Sequence, residues 1–323
     1  MLPFRSPCPR WSISFTMLLN AHIFLGLIAL ASACGESTTE IPNPAPSYPT
    51  TPRTEFGGTR PTTIQVPTTY DASHPTPLLV ILHGYAGNGY FQEQYLRLGP
   101  LVESEGILIV APDGTVDSKG SHFWNATDAC CDFDGSGVDD VSYLRGLIAD
   151  IRHDYNVDPH RLYVLGHSNG AFMAQRLACE MAPDIAAIVS IAGATFENAA
   201  SCAPAAPLSV LDIHGDADTT VLYDGGDIAE PYRAVGVPYP SELETMTRWQ
   251  GYDHCVPGLV PDPTTLNLDN LLPGNDTTIQ RFNGCAAGTD VELWTINGGA
   301  HTPTFSSDFV PHVWQWLSDH PKA

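Results

Sequence analysis

Apolar residues along the chain gather into short β-rich runs separated by helical stripes. The runs are Thr62–Val66, Leu78–Leu82, Ile107–Ala111, Arg161–Leu165, Ala186–Ile191, Leu208–Ile213 and Val291–Ile296. Several are nearly continuous rather than alternating, the mark of strands covered on both faces in a parallel sheet. Between them Val138, Val141, Leu144, Ile148, Ile151 and Tyr155 recur three or four apart and form one apolar stripe. Asp139 and Asp140 in its first turn suit the positive end of the helix dipole. A second helix is expected from Asn169 to about Met181. Strands alternating with helices predict an α/β fold, a mostly parallel central sheet with helices on both faces. Leu222 to Gly288 is rich in Pro, Gly, Asn and Asp with little periodicity, and is expected to be a long excursion between two core strands. No internal repeat is visible.

The first residues follow a different pattern. Arg5 and Arg10 precede an apolar run from Met17 that ends in Ala31-Ser32-Ala33-Cys34. A basic flank, a short apolar core and small residues read as a signal peptide over residues 1–33. The core is short for a membrane span of ~20 residues. The cysteine directly after the small residues resembles a bacterial lipobox, which makes Cys34 the expected lipid-bearing first residue of the mature chain. Ala31 stands where such signals usually carry Leu, and ordinary cleavage nearby would leave a soluble protein instead. Residues 34–60, with Pro42, Pro44, Pro46, Pro49 and Pro52 among Thr, Ser and Asn, read as an extended tether. Residues 61–323 then form one domain, large enough for a sizeable core.

Composition narrows the functions open to that domain. The 323 residues carry 14 Lys+Arg against 36 Asp+Glu, a balance of −22, and loss of residues 1–33 removes two Arg and no acid, giving −24. Such a chain lacks the cations that a phosphate backbone or an anionic membrane surface requires. No nucleic-acid partner is therefore expected, and membrane contact only through the lipid at Cys34. Beyond Cys8 and Cys34 the cysteines number six, an even count that suggests disulfides in an oxidising compartment. Proximity along the chain favours Cys179–Cys202 and Cys255–Cys285, which leaves Cys130–Cys131. No CxxC spacing supports a metal cluster. Asp132, Asp134, Asp139 and Asp140 crowd a short stretch without the spacing of a calcium loop and read as a solvated acidic loop.

The strongest chemical signal is Gly166-His167-Ser168-Asn169-Gly170, after a predicted strand and before a predicted helix. That is the context of a nucleophile elbow, in which small flanking residues permit a tight turn and lift the serine out of the sheet edge. A serine hydroxyl needs a base and an orienter for that base, and in α/β-hydrolases the chain order is Ser, acid, His. Two later strands end in His214-Gly215-Asp216-Ala217-Asp218 and in Asn297-Gly298-Gly299-Ala300-His301. These supply Asp218 as acid and His301 as base. Asp216 is the rival acid. His214 precedes the acid and is read as structural. The loop His83-Gly84-Tyr85 after an earlier strand matches an oxyanion loop. The backbone N–H groups of Tyr85 and Asn169 are the expected oxyanion donors. Trp124 and Phe305 are candidate pocket walls. The excursion and the segment just after His301 are expected to flank the pocket, because open α/β sheets bind ligands beyond their carboxyl ends.

Taken together, these segments resemble the polyhydroxybutyrate depolymerase-like esterases, related to the feruloyl and acetylxylan esterases of carbohydrate esterase family 1. The resemblance rests on Leu82-His83-Gly84, Val110-Ala111-Pro112-Asp113-Gly114, Trp124-Asn125 with Cys130-Cys131, and Val138-Asp139-Asp140-Val141. It continues through the elbow with Met173 to Glu180, the Ile213–Asp218 block, Tyr239-Pro240-Ser241 before Trp249, and Gly298–His301. It covers residues 60 to 320. It implies an α/β-hydrolase fold, Ser168, Asp218 and His301 as a catalytic triad, and no cofactor or metal. The implied substrates are 3-hydroxybutyrate-type oligoesters or feruloyl and acetyl esters of plant polysaccharide. Two positions depart from the family pattern. Ala171 replaces a second Gly, and Thr302-Pro303-Thr304-Phe305 stands where Thr-Trp-Pro is common. The alternatives are a non-catalytic surface lipoprotein that binds an ester or glycan, or a peptidase or acyltransferase on the same fold.

Overall fold

The computed structural model describes residues 48–228 and 236–323. The signal segment, Cys34 and the tether up to residue 47 lie outside the described residues. The tether expected through residue 60 meets the fold earlier. Tyr48 donates to Asn156 Oδ1 at 3.0 Å, and the Arg53 guanidinium pairs with Asp154 at 2.8 Å. The short strand β1 (Glu55–Phe56) then pairs antiparallel with β2 (Thr62–Gln65) and buries Phe56. Tyr48, Phe56, the Arg53–Asp154 pair and the β1–β2 ladder together dock a stretch whose composition reads as extended.

The central sheet has ten strands among the described residues. Its parallel part consists of β4 (Leu108–Val110), β3 (Thr76–Leu82), β7 (Val157–His167), β8 (Ala187–Ile191), β9 (Ser209–Gly215) and β12 (Val291–Ile296), side by side in that order. A separate hairpin is made by β5 (Thr115–Val116) and β6 (His122–Phe123). The continuous apolar runs have the expected cause. Every residue of β3 is buried; Leu78, Val80 and Leu82 pack into one core, while Leu79 and Ile81 pack into another on the opposite face. Full burial of each such side chain contributes roughly 1.5–3 kcal/mol.

Helices α1 (Gly89–Leu96), α2 (Leu101–Ser104), α3 (Asp140–Asp154) and α4 (Asn169–Met181) follow the first half of the sheet. Val141, Leu144, Ile148 and Ile151 of the expected stripe are buried on α3, Val138 precedes the helix, and the Asp139 side chain caps it by accepting from Ser142 N at 2.9 Å. Asp140 is buried instead of solvated, paired with Arg60 at 2.6 Å and accepting from Asn125 N at 2.7 Å. Asp132 accepts from Ser136 N and Gly137 N, and Asp134 from Ser118 N. The acidic stretch is thus satisfied by its own surroundings.

The excursion between Leu222 and Gly288 is more ordered than its composition suggests. It holds α5 (Glu242–Tyr252), β10 (Val256–Leu266) and β11 (Thr277–Asn283), and the two strands extend the sheet antiparallel beyond β12. β10 is an edge strand, largely exposed, so it needs no apolar rhythm and tolerates Pro257, Pro261 and Pro263. A final helix, α6 (Phe309–Asp319), buries Phe309, Val313 and Leu317. The six cysteines pair as Cys130–Cys131, Cys179–Cys202 and Cys255–Cys285. Among the described residues no helix is long and apolar enough to cross a membrane.

Candidate active site

Four loops leave the carboxyl ends of β3, β7, β9 and β12 and meet at one edge of the sheet. β7 runs into Ser168, whose backbone lies at φ 56° and ψ −123° before α4 begins. A non-glycine residue rarely adopts such a conformation, and it persists only where the surroundings hold it. Here Ser168 N donates to Ile191 O at 2.8 Å. The flanking glycines are required by contact: a Cβ at Gly166 would lie 2.0 Å from Gly170 O, and one at Gly170 2.2 Å from Leu82 O.

His301 Nε2 is 2.9 Å from Ser168 Oγ, and its Nδ1 is 2.6 Å from Asp218 Oδ2. The structure therefore brings together the three residues singled out in the sequence. The other oxygen of Asp218 accepts from Thr220 N at 2.7 Å and from Val221 N at 3.0 Å. Burial opposes the charge on Asp218, but hydrogen bonds from His214 and His301 outweigh it and hold the carboxyl well below the usual range. The rival Asp216 points elsewhere: its carboxylate accepts from Gly298 N and ties the loop that carries His301 to the loop that carries Asp218.

The glycine-rich loop passes close behind the serine. A Cβ at Gly84 would stand 3.3 Å from Ser168 Cβ, so glycine permits the approach. Gly84 N donates to Gln92 Oε1 at 3.2 Å. Tyr85 follows at the cavity wall; its phenol donates to Asp117 at 2.5 Å and is pushed up to about 12 by burial and by that carboxylate. Asn169 opens α4 at its positive end. Its side chain clasps Trp124, accepting from Trp124 N at 2.7 Å and donating to Trp124 O at 2.9 Å.

Two further histidines brace the site. Gly114 N donates to His83 Nε2 at 2.9 Å, so the ring proton sits on Nδ1, which donates to Gly84 O at 2.7 Å. His167 donates from Nε2 to the carbonyl of His301 at 2.9 Å. Burial lowers both rings to about 4, leaving them neutral. Only their positions in the motifs hinted at these roles.

Ser168 and His301 open onto a cavity of about 330 Å³. Its wall includes Tyr85, Phe91, Tyr95, Phe133, the Cys130–Cys131 disulfide, Val221 and Ile228. This differs from the expected wall in two ways. Trp124 is 0% exposed and donates its indole N–H to His83 O at 3.1 Å, so it braces the glycine-rich loop from behind. Phe305 is 2% exposed and stacks on Phe309 at 3.8 Å between ring centres, in the core under the loop. The excursion contributes Ile228, and the segment after His301 contributes Thr302. The larger share comes from α1, with Phe91 and Tyr95 four apart on one helical face, and from the Cys130–Phe133 turn.

The sheet and its four loops are those of the α/β-hydrolase fold. The chain is similar in structure to the acetyl xylan esterase from Aspergillus awamori, with a TM-score of 0.54 over 80% of this chain and 93% of that one, at 17% identity. It belongs to the esterase PHB depolymerase family, whose sequence profile matches residues 64–236, more than half of its length. Among characterised relatives it is 26% identical over 241 residues to feruloyl esterase B of Piromyces equi, spanning 74% of this chain but 42% of that protein. It is 24% identical over 251 residues to the bifunctional acetylxylan esterase/xylanase of Neocallimastix patriciarum, spanning 76% and 32% respectively. The chain thus spans less than half the length of these two relatives.

Two measurements follow from this geometry. Phe305→Ala should lower stability by about 3–5 kcal/mol in denaturant unfolding, while KM ratios between aromatic and aliphatic esters stay constant. A selective rise for aromatic esters would return Phe305 to the pocket. The second concerns pH. Unfolded chains protonate histidine below about 6.5, but His83 and His167 resist until about 4. In that window the unfolded state binds more protons, so these two rings make stability fall as pH falls from about 6.5 to about 4, and the depressed Asp154 and Asp218 carboxylates continue the fall below. His167→Gln, which keeps the donor, should remove about one proton from that slope in urea titrations; an unchanged slope would show that His167 is not held neutral.

Proposed function

We propose that the protein is a serine carboxylic-ester hydrolase that works through an acyl-enzyme. The Ser168–His301–Asp218 relay carries this reading. Ser168 Oγ attacks the ester carbonyl as His301 Nε2 takes its proton, and Asp218 holds the Nδ1–H and stabilises the imidazolium. The tetrahedral oxyanion is met by the backbone N–H groups of Tyr85 and Asn169, a role supported by the passage of Gly84 against Ser168 and by the start of α4 at Asn169. His301 returns the proton to the departing alcohol, then activates the water that releases the acid.

The cavity favours an apolar or aromatic acyl group. Its aromatic and disulfide walls suit a flat hydrocarbon better than a charged one, and its volume is that of a small-molecule site. Feruloyl and acetyl esters of plant polysaccharide are the preferred substrates, in line with the names of the relatives; 3-hydroxybutyrate-type oligoesters are the second class. The partner is thus an ester fragment, not nucleic acid. The three disulfides support export, and in this reading Cys34 carries the lipid that anchors the exported enzyme to a cell envelope.

Ser168→Ala should leave a folded protein and lower ester hydrolysis by about 10⁶, with loss of fluorophosphonate labelling. Asp218→Asn should cost about 10⁴ in turnover. Asp216→Asn, which keeps the acceptor for Gly298 N, should cost little; the reverse order would move the acid to Asp216. A panel of methyl ferulate, acetylated xylan and 3-hydroxybutyrate oligomers identifies the acyl group. In a bacterial host, labelled palmitate should enter the wild-type chain and not Cys34→Ser; equal labelling of both would remove the anchor.

A further inference from the structure

Behind the proposed triad lies a polar cluster that the reaction as written does not use. His214 is near the end of β9 with its side chain wholly buried. Its Nε2 faces Asp218 Oδ2 at 3.1 Å and Val221 O at 2.9 Å. Its Nδ1 contacts Glu242 Oε1, on the first turn of α5. All three partners are oxygens of carboxylates or a carbonyl. A neutral imidazole has one N–H and one lone pair, so whichever nitrogen were bare would set its lone pair against another.

We propose that His214 is a permanent imidazolium, clamped between Asp218 and Glu242, that positions the triad acid and tunes the basicity of His301. The proposal rests on the reading of Ser168, His301 and Asp218 as the reacting relay.

The alternative way to satisfy Nδ1 is a protonated Glu242, and the neighbourhood argues against it. Asp212, two residues before His214 on β9, is fully buried. Burial and the charge of Glu242 raise its carboxyl well above the usual range, so Asp212 takes the proton that two adjacent buried carboxyls cannot both shed. Its Oδ2 accepts from Gln175 Nε2 at 3.0 Å, which leaves Oδ1 for that proton. Glu242 then keeps its negative charge toward His214. The remaining neighbours are neutral or more distant. Tyr223 meets the ring edge-on at 5.6 Å, hydrogen-bonds to Thr295 of β12 and is pushed up to about 12, mainly by burial. The Tyr239 phenol oxygen accepts from Leu222 N at 2.6 Å, and burial raises this phenol also to about 12. His167 is neutral, and His301 lies across Asp218. Burial opposes the charge on His214, yet Glu242 and the hydrogen bond to Asp218 raise the ring to about 10.

Two consequences follow. Asp218 Oδ2 is shared between His301 Nδ1 and His214 Nε2, so a cation fixes it from the side away from the reaction. That same cation repels the imidazolium that His301 becomes. A cation placed there opposes the uptake of a second positive charge across Asp218.

The test uses the whole domain. Ring ¹⁵N correlation spectra of the wild type should show both His214 nitrogens protonated from about pH 5 to about pH 9. A neutral tautomer at pH 7 would overturn the proposal. In His214→Gln, kcat should fall by about tenfold or more with little change in KM. The acid limb of kcat/KM should move up by about one pH unit, as a positive charge near His301 is lost. A fall in kcat with an unmoved limb would leave His214 merely structural and reject its tuning role. If that variant does not fold, Glu242→Gln serves instead. It removes the far carboxylate, so His214 should begin to titrate inside the same pH window; a ring that remains fully protonated would reject the clamp. Fluorophosphonate labelling of the wild type separates the two readings. Without labelling at Ser168 the ester-hydrolase reading fails; with labelling and a neutral His214, only this inference does.

Discussion

A Cβ at Gly170 would stand 2.2 Å from the Leu82 carbonyl oxygen, and one at Gly166 2.0 Å from that of Gly170. This three-way approach of β3, β7 and α4 is the constraint on which the rest of the site depends. It lets the chain reverse within one residue, and it forces that residue, Ser168, into φ 56°. The strain is of order 1–3 kcal/mol and is held by the packed strands on either side. With the serine fixed, the loop after β3 must pass it closely, which is why Gly84 also lacks a side chain.

Neutral and charged histidines divide the work around that point. His83 and His167 are buried without a carboxylate against the ring, so each stays neutral and serves as a directional hydrogen-bond brace. His214 is equally buried but faces two carboxylates. The same residue type thus acts as a dipole in two places and as an ion in a third, and the difference lies in the partners alone.

How much was legible from the residues follows from what each signal encodes. The parallel strands were plain because burial on both faces makes them apolar throughout, as in β3. Ser168, Asp218 and His301 were legible because each stands at a strand end in a local motif. α5 was missed although Ser241 caps it by accepting from Glu244 N, and Met246 and Trp249 mark its buried face. Pro and Gly on either side hid that short pattern. β10 was missed because an exposed edge strand carries no burial signal. Trp124 and Phe305 were assigned to the pocket by type and position, but an aromatic ring in a loop at the sheet edge can face either way, and nothing local distinguishes wall from core. The cavity walls Tyr95 and Phe133 come from separate elements that only the fold unites.

The placement of the long excursion bears on how such a protein can change over generations. β9 and β12 are adjacent and parallel, with Gly215 opposite Ile296, and the whole segment between them leaves and returns at neighbouring strands. Asp218 and His301 are therefore set by the sheet, by the Asp216–Gly298 tie and, through His214, by Glu242 at the start of α5. Closing a longer loop costs only about 0.6 kcal/mol per doubling of its length. Insertions and exchanged turns in the exposed β10 part of that segment can accumulate while Asp218 and His301 keep their spacing. Lineages sharing this scaffold thus have one region free to diverge in reach and shape beside a dyad that stays where it is.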